Sequence, residues 1–246
     1  VNYWKAPAIS ELEENPDKER ILYGKELIIH TSDYFGPKGT ISKAFTNGMN
    51  CQNCHLDAGT KVFGNNYGSV HSTYPKYRAR SGSIENVYKR INDCFERSLN
   101  GGTLDSNSRE LQAIAAYIKW LGKDVPAGTK ALGAGLKELP VLERATNVEK
   151  GQIAKTQKCV SCHQSTGEGV MNEDQTSYVY PPLWGMYSYN KGAGLFRVSN
   201  FAKFIKYNMP LGASYTNTQL TEEEAWDIAA FVNSQPRANK NIKKDC

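Results

Sequence analysis

The chain has 246 residues, 39% of them hydrophobic, and carries 30 Lys and Arg against 25 Asp and Glu for a net charge of +5. At about 100–150 residues per domain the length suggests two domains. The longest apolar run, residues 113–118, falls far short of the roughly 18 a membrane helix needs, and the basic residues are spread along the chain rather than gathered into a nucleic-acid-binding stripe.

The chain begins at Val1, with neither an initiator Met nor a charged-then-apolar leader; a removed export signal would explain that start, and a trimmed chain would look the same. Its six cysteines could furnish three disulfides, but four of them sit in two copies of Cys-x-x-Cys-His. The first copy is Cys51, Cys54 and His55. This is the attachment signature of c-type haem: the two thiols bond to the two porphyrin vinyl groups, and the adjacent imidazole binds iron axially. A structural zinc site takes four Cys or His ligands. No further His follows the second copy, and the only later cysteine is Cys246, so zinc lacks its ligands there. A redox dithiol would need no His and would expect a βαβ context.

The next predicted element is a helix opened by Ser83 as N-cap, with Ile84, Val87, Ile91 and Cys94 on one face and Gly101 as its stop. Arg90 lies four residues before Cys94, while Arg97 and Ser98 lie three and four after it, so all share neighbouring faces. Arg78 and Arg80 precede the helix. Guanidiniums beside a soft sulfur suit a sulfur-containing oxyanion, although Arg near a haem also pairs with propionates. The alternative readings of Cys94 are a buried small hydrophobe or a disulfide with Cys246. A second helix follows Ser108.

Residues 122–147 hold Pro126, Pro140 and four glycines, the composition of an ordered connector. The second motif, Cys159, Cys162 and His163, follows the first by 108 residues. A helix over 199–208 buries Phe201, Phe204 and Ile205, and Pro210 ends it at Met209. Met209 is the candidate distal ligand of the second iron, over Met171 and Met186. A last helix, capped by Thr221, repeats the one after Ser108 at an offset of 114: Glu110, Ile114, Ala115 and Ala116 fall on Glu224, Ile228, Ala229 and Ala230. The same offset carries Asn208 onto Cys94 and Met209 onto Phe95, placing a cysteine where the second half keeps its ligand segment. Met49 lies too close to Cys51 to reach the far face of the same haem; His71 and Lys89 are the rival ligands in the first half. Gly24 lies 27 residues before Cys51, but Gly151 only eight before Cys159, so the first half carries an insertion and an N-terminal extension.

The expected fold is all-α, with two tandem cytochrome c-like domains, each holding one covalently attached haem c. Their expected bounds are residues 1–125 and 148–246, with 126–147 as linker. A thiolate pushes electron density onto iron and a thioether raises its potential, so electrons should run from the first haem to the second.

With these residues in view, the chain resembles the diheme thiosulfate dehydrogenases, which also act as tetrathionate reductases. The resemblance rests on both haem motifs, the run Arg90-Ile-Asn-Asp-Cys94-Phe-Glu-Arg97-Ser98, Pro-Pro-Leu-Trp-Gly at 181–185, the segment from Phe204 through Met209 to Gly212, and Glu223-Glu-Ala-Trp226. It implies a periplasmic enzyme that interconverts two thiosulfates with one tetrathionate and exchanges electrons with a small redox protein such as a c-type cytochrome. It also implies His55 and Cys94 as ligands of the first haem, and His163 with Met209 at the second. Some members carry Lys where this sequence has Asn208, which puts a Lys-to-Met ligand exchange in doubt, and Lys206 is expected to face solvent. The Cys94 neighbourhood points to Arg80, Arg90 and Ser98 as the groups that hold thiosulfate oxygens, with Cys94 bonding to the outer sulfur.

Overall fold

The computed structural model describes residues 2–240, so Cys246 lies outside the described residues. The frame is six helices of eleven to thirteen residues: α1 Lys18–Ile29, α2 Val87–Arg97, α3 Arg109–Leu121, α4 Val148–Lys158, α5 Val198–Asn208 and α6 Glu222–Ser234. Two short antiparallel hairpins accompany them, β1 Lys76–Arg78 with β2 Ser83–Glu85, and β3 Val170–Met171 with β4 Tyr178–Tyr180.

The two halves are built by one device. In α1, a Cβ on Gly24 would meet the Ala113 carbonyl oxygen of α3 at 2.0 Å; in α4, a Cβ on Gly151 would meet the Asp227 carbonyl oxygen of α6 at the same distance. Ala113 and Asp227 are themselves one repeat offset apart. Each half therefore begins and ends with a helix pair that crosses backbone to backbone, which only a residue without a side chain permits. The longer loop between Gly24 and Cys51 in the first half thus leaves the crossing itself unchanged.

Around each crossing lies a separate apolar core. Leu27, Ile28, Phe35, Phe95, Leu111, Ile114 and Tyr117 fill the first, and Phe201, Phe204, Ile205, Trp226, Ile228 and Val232 the second. Ser108 and Thr221 cap their helices as the sequence indicates, accepting from the Leu111 and Glu224 amides. Ser83 does not: it lies in β2, and Asn86 caps α2 by accepting from the Lys89 amide at 2.9 Å. The hairpin takes Ile84 with it, leaving that side chain 74% exposed. The helix stops at Arg97, and the left-handed turn after it falls on Asn100, one residue before Gly101.

Residues 126–147 are tied to both cores. Gly133 and Gly135 accept backbone bonds from Phe63 and Asn65, whereas Pro140 accepts from the Trp226 indole and Arg144 pairs with buried Asp227. The loop around residues 186–192 in turn docks on the C-terminal end of α2. There Asn190 donates to the Arg97 and Glu96 carbonyls and Asn47 bridges Ser98 and Ser188. Buried backbone groups satisfied in this way fix the second half against the helix that carries Cys94.

Candidate active site

Each half centres on a cavity. The first, about 350 Å³, is lined by Cys51, Cys54 and His55 and by Arg90, Cys94 and Ser98 of α2 and its end. The second, about 480 Å³, is lined by Cys159, Cys162, His163 and Met209. Met171 lies in β3 and Met186 is 66% exposed; neither lines that cavity. Met209 reaches it because Pro210 ends α5 there, with Met209 itself already extended. Cys94 reaches the first cavity from inside α2, and Phe95 beside it both lines that cavity and packs edge-on against Phe35 in the apolar core. Cys94 in the first half and Met209 in the second thus each line the cavity of their own half, one residue apart in the repeat alignment.

The motif histidines are held alike. His55 Nδ1 lies 2.6 Å from the Asn65 carbonyl oxygen, and His163 Nδ1 lies 2.7 Å from that of Pro181. A proton placed on Nδ1 and donated to that carbonyl leaves the Nε2 lone pair free for a metal. Burial lowers both imidazole pKa values, His55 to about 4, so both are neutral at pH 7. Tyr67 stacks on the His55 ring with centroids 4.4 Å apart. Sequence alone gives no sign of Asn65 or Pro181 in this role, since a backbone carbonyl has no side-chain signature.

These cavities fit a haem. Burial pushes the Cys51 and Cys54 thiols up to about 12 and Cys159 up to about 11, an environment that disfavours thiolates and suits thioethers. At the first cavity the buried Tyr74 hydroxyl has no hydrogen-bond partner among the described residues, and Lys76, Arg78 and Lys130 line the same space. An orphan hydroxyl with three cations is what a pair of propionates satisfies.

Around Cys94 the polar groups converge. Arg90 donates from Nη1 to the Cys94 sulfur at 3.1 Å, and its pKa is raised, first of all by that sulfur. A third, smaller cavity of about 240 Å³ opens beside Cys94 and Ser98, lined by Arg78, Arg80, Arg90, Arg97 and Arg197. Arg97 is buried and paired with Asp93 at 3.1 Å, so it serves the helix rather than the cavity's charge. Arg80 donates to the Gly192 carbonyl at 2.9 Å, which fixes it against the second half. The rival ligands lie elsewhere: His71 is exposed beside Gly122, and Lys89 is engaged with Asp93 at 2.6 Å. Lys206, contrary to the expectation of solvent exposure, is buried and donates to the Leu220 carbonyl and the Thr218 hydroxyl, pinning the loop that follows Met209. Asn208 is buried too, donating to the Phe63 carbonyl of the first half.

Residues 41–127 match the SoxA/TsdA cytochrome c domain, and residues 148–236 match the cytochrome c family. Over 94% of its length the chain is 36% identical to the thiosulfate dehydrogenase of Allochromatium vinosum, covering 83% of that protein. The chain belongs to the thiosulfate dehydrogenase family. The Psychrobacter arcticus thiosulfate dehydrogenase is 41% identical over 201 residues, 81% of this chain and 60% of that relative. The solved thiosulfate dehydrogenase (TsdBA) of Marichromatium purpuratum superposes with a TM-score of 0.87 at 31% identity, over 97% of this chain and 50% of that one. The chain is two tandem cytochrome c domains in a helix-dominated fold, a pair that implies haem c as the group bound. No described helix is long and apolar enough to cross a membrane.

Proposed function

We propose that this chain interconverts two thiosulfates with one tetrathionate in the periplasm, using one haem c attached covalently in each half. Cys51 and Cys54 tether the first haem with His55 and Cys94 as its iron ligands. Cys159 and Cys162 tether the second, with His163 and Met209. The observation that carries this reading is the 3.1 Å contact of Arg90 with the Cys94 sulfur at the mouth of an arginine-lined cavity. A guanidinium there stabilises a thiolate and receives anionic oxygens through its planar fork.

Arg80, Arg90 and Ser98 hold the sulfonate oxygens of thiosulfate and offset the repulsion between two dianions. The Cys94 thiolate then forms a sulfur–sulfur bond with the outer sulfur of the first thiosulfate, releasing two electrons. Haem, when bound, supplies the redox capacity for these electrons one at a time. The outer sulfur of a second thiosulfate attacks the sulfur bonded to Cys94. Its new bond completes tetrathionate, the bond to Cys94 breaks, and the cysteine departs as thiolate. Atoms and charge balance, and the reverse sequence reduces tetrathionate.

Met49, Asn50 and Cys54 line both cavities, so one layer of side chains separates the two haem sites. At the mouth of the second cavity Val179 and Leu211 are 54% and 72% exposed, an apolar rim suited to a transient redox partner such as a small c-type cytochrome. Adding tetrathionate to the reduced protein tests the function: prompt oxidation of the haem bands is expected, and no response at either haem would mark a simple electron carrier. Arg90→Leu is expected to lower kcat/KM for thiosulfate roughly a hundredfold while leaving both haems in place. An unchanged kcat/KM with both haems bound would remove Arg90 from the mechanism.

A further inference from the structure

We propose that Arg197 of the second domain, together with Arg80, forms a second sulfonate site, so that tetrathionate lies across the boundary between the two halves. This rests on the thiosulfate–tetrathionate reading above and names a residue to which that reading gives no role.

The cavity beside Cys94 is not uniformly neutralised. Of its five arginines, Arg78 faces Glu85 at 3.8 Å, Arg97 pairs with Asp93 and Arg90 lies on the Cys94 sulfur. Among the described residues neither Arg80 nor Arg197 has a carboxylate partner. Arg80 comes from the loop before β2 and Arg197 from the other half of the chain, where it is the N-cap of α5. Their approach is built by backbone bonds: Arg80 grips the Gly192 carbonyl, and residues 190–193 are folded onto the end of α2 through Asn190. Burial and then the neighbouring charges of Arg97 and Arg197 depress the Arg80 pKa, the sign of excess positive charge at this spot. Asn200, in the first turn of α5, lines the same cavity, and among the described residues no side chain caps that helix, so its N-terminal dipole adds to the field.

The chemistry needs such a place. Tetrathionate carries a sulfonate at each end, and attack by Cys94 keeps one half on the cysteine while the other leaves as thiosulfate. Arg90 and Ser98 lie beside Cys94 and hold the retained half. The departing half then meets Arg80 and Arg197. Haem propionates are the competing use for these arginines. Lys76, Lys130 and the orphan Tyr74 hydroxyl line the haem cavity without lining the arginine cavity, and they suffice for that pair.

The test uses oxidised Cys94→Ala holoprotein, which cannot turn over, with tetrathionate and thiosulfate titrated by calorimetry. Adding Arg197→Ala is expected to weaken tetrathionate binding roughly tenfold, the loss of about one charge-assisted contact. Thiosulfate at the Arg90 site should change by less than about threefold, and Arg197→Lys should restore most of the tetrathionate affinity. The visible spectrum and midpoint potential of the first haem should not move. Unchanged tetrathionate affinity would overturn the proposal, as would a shifted first-haem potential with both anions weakened alike, which would assign Arg197 to a propionate. If the Cys94→Ala protein bound neither anion even with Arg197 intact, the thiosulfate reading itself would fall and this inference with it.

Discussion

Replacing Cys94 with alanine is expected to leave both haems attached and to lower turnover at least about a thousandfold, the scale seen when a covalent nucleophile is removed. The tethers Cys51, Cys54, Cys159 and Cys162 and the two histidines lie on segments that Cys94 does not support. His55 is positioned by the Asn65 carbonyl and Tyr67, and His163 by Pro181. Cys94 packs at a cavity wall rather than in the apolar core, which Phe95 fills from the next position, so the variant should fold. Haem content by absorbance and thiosulfate turnover read the two effects separately. Full activity would show that the sulfur–sulfur exchange proceeds without this thiolate, and loss of the first haem would show that Cys51, Cys54 and His55 do not retain it without Cys94.

The second large effect is on folding. Gly24→Ala and Gly151→Ala each force a Cβ to within 2.0 Å of a backbone carbonyl oxygen on the facing helix. No rotamer relieves a clash with backbone, so the helices must part and give up packing along α3 or α6. We expect each change to cost about 4 kcal/mol or more, a large part of the 5–15 kcal/mol typical of folded proteins. Urea denaturation of the purified variants, with haem incorporation per chain, measures it. The same substitution at Gly194, where an added Cβ meets nothing within 4 Å, should change stability by less than about 0.5 kcal/mol. Equal stability of Gly151→Ala and the parent would mean that the crossing is not the close contact described.

Much of the site was legible because it is written in side-chain types at fixed spacing. The haem motifs demand thiols and an imidazole in one order, and Met209 before Pro210 marks a helix end. The caps Ser108 and Thr221 announce their helices. Even the alignment of Gly24 with Gly151 was visible, although its meaning needed the crossing helices. What stayed hidden is carried by backbone or by distant pairing. Ser83 looks like a cap until β1 claims it as a strand partner at Arg78, and Asn86, an equally good cap, takes over. The carbonyls of Asn65 and Pro181 orient both imidazoles without any residue-type requirement. Lys206 reads as a surface cation beside Tyr207, but the loop through Thr218 and Leu220 folds over it and satisfies its ammonium. Arg197 lies over a hundred positions from Arg80, and only the docking of residues 190–193 brings them to one cavity.

In the proposed mechanism Cys94 bonds covalently to substrate sulfur. Mass spectrometry of the Cys94 peptide, prepared without reductant after exposing the holoprotein to tetrathionate, tests it most directly. A mass increase equal to one thiosulfate on Cys94, absent from Cys94→Ala protein and reversed by added thiol, is the predicted result. An unmodified Cys94 peptide from protein trapped during active turnover would contradict it.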